Sequence, residues 1–424
     1  MAEMKDSGIR WIGQIPSNWK IVRVKDAFIR KKAKAKQEDP IILSLARSGV
    51  KIRDISNNEG QLAENYSDYN PVAVDDLLLN PMDLISGDNC NISRVEGVIS
   101  PAYVNLKYKD GVNPKFYNFY FKYQYWCKAF FAHGKGVSFE NRWTLSYDTL
   151  ERFPIVLPPI EEQNKIAEFL VKKCGEIDNL YSTIEKQIET LEEYKKSVIR
   201  EAVTRGLNPN VEMKDSGVEW IGNIPVHWKV KKIKYSATLT RGVFGHRPRN
   251  DPKYYDGDYP FIQTGDVASA NKYIETFSQT LSELGKSVSK EFKKGTIAFT
   301  LAANVGDAAI LDFDSYFPDS VMAIIPNKNI NNVYLYYILS VMKTEFLKVA
   351  IVNTQMNLNV ERVGNVYIPI TFNDSEQREI VNYLDLKCTE IDGAITDKKQ
   401  QLETLEQYKK SLIYEYVTGK KEVR

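Results

Sequence analysis

Two stretches of the chain repeat apolar residues at steps of three and four. In the first, Ile166, Leu170, Cys174, Ile177, Tyr181, Ile184, Ile188, Leu191, Tyr194 and Val198 fall on one stripe, with Lys and Glu filling the remaining positions. The second repeats the pattern with Ile380, Leu384, Cys388, Ile391, Ile395, Leu402, Leu405, Tyr408 and Leu412. Both predict long helices. Glu161 and Glu162 place negative charge in the first turn of one, which Gly206 and Pro209 end; Gly419 ends the other. At 1.5 Å per residue, about 40 residues give roughly 60 Å of helix, too long for an ordinary domain helix. A single apolar seam on such a helix stays wet unless the two pack together as a coiled coil. Ile177, Ile184, Ile188 and Leu191 then face a seam shared with Ile391, Ile395, Leu402 and Leu405. An antiparallel pairing puts the segments preceding each helix at opposite ends of a rod, whereas a parallel one brings them together. Periodicity alone does not choose.

The segments between the helices read as mixed α/β. Strand-like runs cover 41–45, 98–106, 296–301, 322–325 and 366–370, and helical periodicity covers 116–131 and 333–349. Glycine and asparagine punctuate the turns, as in Gly87-Asp88-Asn89, Gly257-Asp258 and 327–332.

The chain is also duplicated. MKDSGIRWIGQIPSNWKIVRVK (4–25) aligns without a gap to MKDSGVEWIGNIPVHWKVKKIK (213–234), and 162–204 realigns with 376–418 through ETLE-(E/Q)-YKKS. The middles, 26–153 and 235–369, show little obvious resemblance to each other. Trp11, Trp19, Trp220 and Trp228 recur in the shared frame, which suggests packing that anchors each middle onto the helices. The first frame segment is expected to pack near the end of the second long helix and give pseudo-twofold symmetry.

Composition narrows the chemistry. Hydrophobic content of 43% and aromatic content of 12% over 424 residues are those of a globular chain with several domains. No apolar run approaches a membrane span, and MAEMKDSG has no signal core, so no membrane association is expected. With four cysteines lacking C-x-x-C spacing and three histidines, no Cys/His metal site is expected; a reducing cytoplasm fits best. Net charge is only +2, but its distribution is uneven. Residues 229–250 hold Lys229, Lys231, Lys232, Lys234, Arg241, Arg247 and Arg249 with no acid, and 20–36 hold eight basic residues against Asp26 alone. Two basic runs entering equivalent middles, interleaved with Phe28, Tyr235 and Phe244, favour a phosphate-binding footprint over a merely solvated face.

Catalytic signatures are missing. There is no G-x-x-x-x-G-K-[ST] and no G-x-G-x-x-G after a strand. Asn80-Pro81-Met82-Asp83 lacks the second proline and the aromatic with which amino-methyltransferases hold adenine, and no glycine-rich S-adenosylmethionine loop is present. The glycines of GKG (134–136) and RGVFG (241–245) read as turns more readily than as phosphate loops.

The order of segments is informative. MKDSG-x-x-WIG-x-IP-x-x-W opens each half, a divergent middle follows, and Ile155-Val156-Leu157-Pro158-Pro159-Ile160-Glu161-Glu162-Gln163 leads into the first helix. Its counterpart, Ile368-Pro369-Ile370 then Ser375-Glu376-Gln377, lacks the double proline. With LLLNPMDL (77–84), GVISPAYV (97–104) and PDSVMAI (318–324), this order resembles the specificity subunit of type I restriction–modification systems along essentially the whole chain. The resemblance implies a non-catalytic subunit in which each middle is a target recognition domain for one half of a bipartite DNA site. The paired helices would set the spacing and dock two adenine-N6 methyltransferase subunits, and ATP-driven restriction (motor) subunits would join them. S-adenosylmethionine, ATP and Mg²⁺ would then reside on partners, with no cofactor or metal on this chain. The fold expected is α+β: two mixed α/β recognition domains separated by two long helices in an antiparallel coiled coil. Its segments are 1–25 (frame), 26–157 (recognition), 158–207 (helix), 208–234 (frame), 235–370 (recognition) and 371–424 (helix).

Bases are read in the major groove chiefly by Arg or Lys on guanine and by Asn or Gln on adenine. Polar loops of the first middle offer Arg47, Lys51, Arg53, Lys135 and Arg142, with Ser86 and Asn89 weaker. Those of the second offer Arg241, Arg247, Arg249, Gln263, Asn304, Asn353 and Gln355. Lys31, Lys32, Lys231 and Lys232 are the expected phosphate contacts. Two rival readings are a non-enzymatic coiled-coil scaffold whose globular ends bind proteins, and an independent DNA methyltransferase. Salt-dependent binding to duplex DNA separates the first rival, and labelled S-adenosylmethionine with the chain alone separates the second.

Overall fold

The computed structural model describes residues 3–36, 40–46, 49–54, 66–84, 90–136, 143–352 and 356–423. The chain divides into two compact units, Met1–Glu185 with Gln400–Arg424, and Lys186–Lys399. Each unit therefore contains one end of each long helix.

Those helices are Ile160–Arg205 and Asp374–Val417. Acidic Glu161, Glu162, Asp374 and Glu376 occupy the first turns, where they complement the positive helix end. Gly206 and Gly419 follow the last turns with φ of 71° each, a left-handed stop that costs glycine nothing. In the first unit the helices run antiparallel: Phe169 packs on Tyr416 with ring centroids 4.5 Å apart, and further along Asp178 meets Lys409 at 2.6 Å. The second unit shows the same sense. Lys195 meets Asp392 at 2.7 Å, and beyond it Val198, Ala202 and Val203 share a core with Ile380, Leu384 and Cys388.

The apolar stripe is largely as expected. Ile177, Ile184, Ile391 and Ile395 are buried, while Ile188, Leu191, Leu402 and Leu405 are half-buried. Tyr194 and Tyr408 depart from it, for both are 55% exposed. The lysine after each tyrosine is less exposed, and its ammonium reaches an aspartate on the opposite helix.

Each middle is a mixed α/β body around one antiparallel sheet. In the first unit the strand order is Phe28–Lys31, Val104–Tyr108, Leu77–Leu79, Cys90–Ile92. In the second it is Ala237–Arg241, Val321–Pro326, Ile297–Thr300, Ala308–Leu311, extended by Tyr273–Ile274 in parallel. The order of the four shared strands is identical. The middles that look unrelated as sequences are thus one topology with different loops. The run 98–106 is two strands, Gly97–Ile99 and Val104–Tyr108, because Pro101 sits in a turn between them. The helical run 116–131 breaks at Lys128 (φ 59°) into Pro114–Trp126 and Ala129–Ala132. The run 333–349 likewise divides into Asn332–Ser340 and Lys343–Val349.

The frame residues lock each middle to the helices. Trp19 and Trp228 are fully buried and donate Nε1–H to Glu162 (2.7 Å) and Glu376 (2.9 Å) in the first turn of each long helix. One turn of helix supplies a second tie. Buried Gln163 accepts from the Asn113 amide (2.8 Å) and donates to the Pro158 and Gly111 carbonyls (2.8 and 3.1 Å). Gln377 does the same with Asn331 (2.6 Å), Thr371 (2.9 Å) and Asn329 (3.0 Å). Trp11 reaches Gln124 at 2.8 Å and Trp220 the Tyr367 carbonyl at 3.1 Å. Gly419 closes the first unit: a Cβ there would lie 2.3 Å from Pro16 Cδ, and the neighbouring Lys420 donates to the Ile12 carbonyl at 3.0 Å. The first frame segment does pack on the end of the second long helix.

Candidate nucleic-acid interface

In the second unit, register brings distant polar loops to one end of the five-stranded sheet. Arg241 pairs with Met322, and Thr300 pairs with Val321. The ends of Ala237–Arg241 and Ile297–Thr300 therefore lie beside the start of Val321–Pro326. Backbone bonds from Gly242 to Val321 (2.9 Å) and from Leu301 to Ser320 (2.8 Å) extend this alignment into the loops.

Three arginines meet there. Arg241 Nε donates to the Asp319 carbonyl at 2.6 Å, Arg249 forms an ion pair with the Asp319 carboxylate, and Arg247 Nη2 lies 3.6 Å from the same oxygen. All three are exposed. Arg247 Nη1 also donates to the Phe244 and His246 carbonyls, at 2.8 Å each. The loop carrying them rests on an aromatic floor. Phe244 stacks on Tyr255 at 5.6 Å, His246 on Tyr254 at 4.0 Å, and Phe244 also meets Phe261. The Tyr255 hydroxyl donates to the Arg249 carbonyl. Burial raises the Tyr255 hydroxyl above its ordinary range, against the opposing pull of Arg249 and Arg247, so it remains a donor at neutral pH.

Gln263 and Asn304 are neighbours at the same end. Asn304 Nδ2 lies 3.5 Å from the Thr264 carbonyl, at the limit of a hydrogen bond, and Gln263 Nε2 donates to Gln279 at 3.0 Å. Ala302 bridges Asn357, and Leu358 donates to the Leu301 carbonyl at 2.8 Å, so the hairpin Ile351–Val352 with Met356–Asn357 also arrives there. Asn353 and Gln355 themselves lie outside the described residues. Lys231 and Lys232 do not join the cluster. They precede Ala237–Arg241 and so sit at its other end, roughly 15 Å away by strand rise. There they lie over Phe372 (5.0 Å) and Tyr367 (5.4 Å).

The equivalent end of the first sheet carries Lys31, Leu79, Cys90 and Val104. Lys31 is drawn inward by Asp76 at 2.5 Å, a buried carboxylate that also accepts from the Ala73 amide (2.8 Å) and Asn105 Nδ2 (3.3 Å). Lys32 follows and is exposed. Lys135, exposed, ladders with Thr144, whose neighbour Leu145 donates to the Pro81 carbonyl at 2.8 Å just beyond Leu79. Lys51 is exposed on the hairpin Leu43–Ala46 with Gly49–Ile52, and half-buried Arg53 follows it. Arg47, Ser86, Asn89 and Arg142 lie outside the described residues. Asn80 makes a turn, its side chain accepting from the Met82 amide at 2.9 Å. Asp319 and Asp76 escaped sequence reasoning. For Asp319 the available signal is an acid in a Pro-Asp-Ser loop of a middle whose entrance is purely basic.

Among the described residues no three His, Cys, Asp or Glu side chains group as a metal site, and no helix is long and apolar enough to cross a membrane.

Residues 225–407 match the family described as the type I restriction modification DNA specificity domain. Two specificity subunits of Methanocaldococcus jannaschii are similar over nearly the whole chain. The MjaVIII subunit is 24% identical, covering 97% of this chain and 95% of its own. The putative MjaX subunit is 26% identical, covering 97% and 96%. The chain is similar to type I restriction–modification specificity subunits along nearly its whole length, and residues 225–407 match their DNA specificity domain. The fold agrees: a solved chain from work on complex assembly and conformational transition of the type I R-M system superposes with a TM-score of 0.71 at 14% identity, covering 95% of this chain and 98% of that one. Specificity subunits are the non-catalytic members of these systems and work with DNA and the other restriction–modification subunits.

Proposed function

We propose that each unit reads one half of a bipartite, asymmetric DNA site through the loops at the end of its sheet, and that the helix pair fixes the gap between the halves. The observation that supports this most is the repetition of one sheet topology with unlike polar loops at the same end. A shared frame with different contact groups suits two different half-sites. Arg241, Arg247, Arg249, Gln263 and Asn304 supply guanine- and adenine-reading chemistry in the second unit; Lys51, Arg53 and Lys135 are the described candidates in the first. Lys32 is the phosphate contact of the first sheet end. Lys231 and Lys232, set back from the reading end, contact backbone outside the half-site.

Two equivalent helix–frame junctions suit two copies of one partner, the adenine-N6 methyltransferase subunit. S-adenosylmethionine belongs to that partner; ATP and Mg²⁺ belong to the motor subunits. The compartment is the cytoplasm.

The experiment exchanges 26–153 for the corresponding segment of another family member and maps methylated adenines in cells that also carry the methyltransferase. One half-site should change while the other half and the gap stay fixed. A change in both halves would contradict modular reading.

A further inference from the structure

We infer that Asp319 is a positioning residue that presets Arg241, Arg247 and Arg249 as one guanidinium cluster for reading a guanine-bearing position of duplex DNA. This rests on the DNA-reading function proposed above. Two segments distant in sequence meet here: the end of strand Ala237–Arg241 with the loop after it, and the turn leading into Val321–Pro326 that carries Asp319.

The charge arithmetic matters. One carboxylate faces two guanidiniums, and its backbone carbonyl takes a third, so the cluster keeps a net positive charge and still attracts DNA. Arg241 uses only Nε on Asp319, and among the described residues neither of its Nη atoms has a partner. The Nη pair is the edge that bonds guanine O6 and N7. Long arginine side chains lose rotamer freedom when they bind, and holding them beforehand removes part of that cost.

The turn is seated too tightly for this contact to be incidental. A Cβ on Gly242 would lie 2.2 Å from the Pro318 carbonyl oxygen and 2.6 Å from Phe317 Cβ, so only glycine lets the two loops touch. Behind the arginines, Phe244, Tyr254 and Tyr255 fix the loop that carries Arg247 and Arg249. The Asp319 carboxylate holds Arg247 and Arg249 and its backbone carbonyl holds Arg241, so one residue sets three flexible cations in a defined pattern.

The test uses the full chain in complex with its methyltransferase partner. Methylated adenines are mapped for the native complex, for Asp319→Asn, and for a triple Arg241→Ala, Arg247→Ala, Arg249→Ala variant. Duplex binding is measured across a salt series. Asp319→Asn keeps the backbone carbonyl that holds Arg241 but removes the carboxylate partner of Arg247 and Arg249. It should lose about tenfold in discrimination at one or more positions of the second unit's half-site while the first half-site stays intact. Its affinity for unrelated duplex should be equal or higher, and its salt slope steeper by about one, because an anion has left the interface. A merely structural role would lower both affinities and would not steepen the slope. Asp319→Glu, which keeps the charge one methylene further out, should fall between native and Asn. An Asn variant with native stringency overturns the inference, as does one that unfolds and loses both half-sites. If the triple variant relaxes the half-site and Asp319→Asn does not, positioning fails and DNA reading stands. If the triple variant also reads the native site, the reading itself fails.

Discussion

Lys195 and Asp392 face each other across the helix seam, Nζ 2.7 Å from the carboxylate, in the positions of the second unit that Lys409 and Asp178 occupy at 2.6 Å in the first. Duplication has kept a reciprocal bond: each helix donates a lysine near one end and an aspartate near the other. The pair in the second unit is the better sheltered, with side chains 21% and 30% exposed, against 30% and 60% in the first. Asn271 also bonds both Lys195 (3.1 Å) and Asp392 (2.9 Å).

Shelter decides the size of the effect. In double-mutant cycles with Lys→Met and Asp→Asn, read by thermal unfolding, the Lys195–Asp392 coupling should be about 1 kcal/mol and the Lys409–Asp178 coupling about 0.3 kcal/mol. Equal couplings would show that the surrounding geometry does not matter.

The glutamines at the helix starts should prove far more costly to lose than surface amides. Gln163→Leu strands the Asn113 amide and the Gly111 and Pro158 carbonyls, and Gln377→Leu strands their counterparts at Asn331, Asn329 and Thr371. Each variant should lose about 2–4 kcal/mol by denaturant titration, since buried polar groups left unpaired pay their desolvation in full. A loss below about 0.5 kcal/mol would mean the amide network relaxes onto other partners.

Burial pushes the Cys174 thiol up to about 11, and the Cys388 thiol rises for the same reason. Burial disfavours the thiolate, so the folded value lies above the unfolded one. The resulting stability is complete below the unfolded value near 9 and is lost as pH rises toward 11. Native protein at pH 8 should therefore leave both cysteines unlabelled by iodoacetamide while denatured protein labels them, as peptide mass spectrometry would show. Fast native labelling of either would place it outside the seam.

How much of this was legible from sequence depends on the length of each signal. The helices carried ten and nine apolar positions on one stripe, enough to predict both helices and their seam. Tyr194 and Tyr408 misled because tyrosine counts as apolar by periodicity, whereas its hydroxyl lets it stay exposed while the next residue, a lysine, reaches an aspartate across the helices. The common sheet topology was hidden because its strands are three to six residues long; Leu77–Leu79 and Ile297–Thr300 are buried on both faces and show no alternation. The residue types of the second site were readable, since Arg241, Arg247 and Arg249 announce themselves as cations. Their convergence on Asp319 was not, because it depends on the antiparallel register of strands far apart in the chain.

If the helix pair sets the gap, its length should be adjustable. Inserting seven residues, two turns, into each helix at matching points keeps the seam in phase and adds about 10 Å. The permitted gap should widen by roughly three base pairs at 3.4 Å each. Methylation mapping that returns the native gap would remove the helices from that role.

The most direct measurement is a genome-wide map of methylated adenines in a strain expressing this chain with its partner methyltransferase. Two unlike readers on a fixed spacer predict one asymmetric motif: two different specified halves, separated by a constant number of unspecified base pairs. A single uninterrupted motif, or halves separated by a variable gap, would contradict the account.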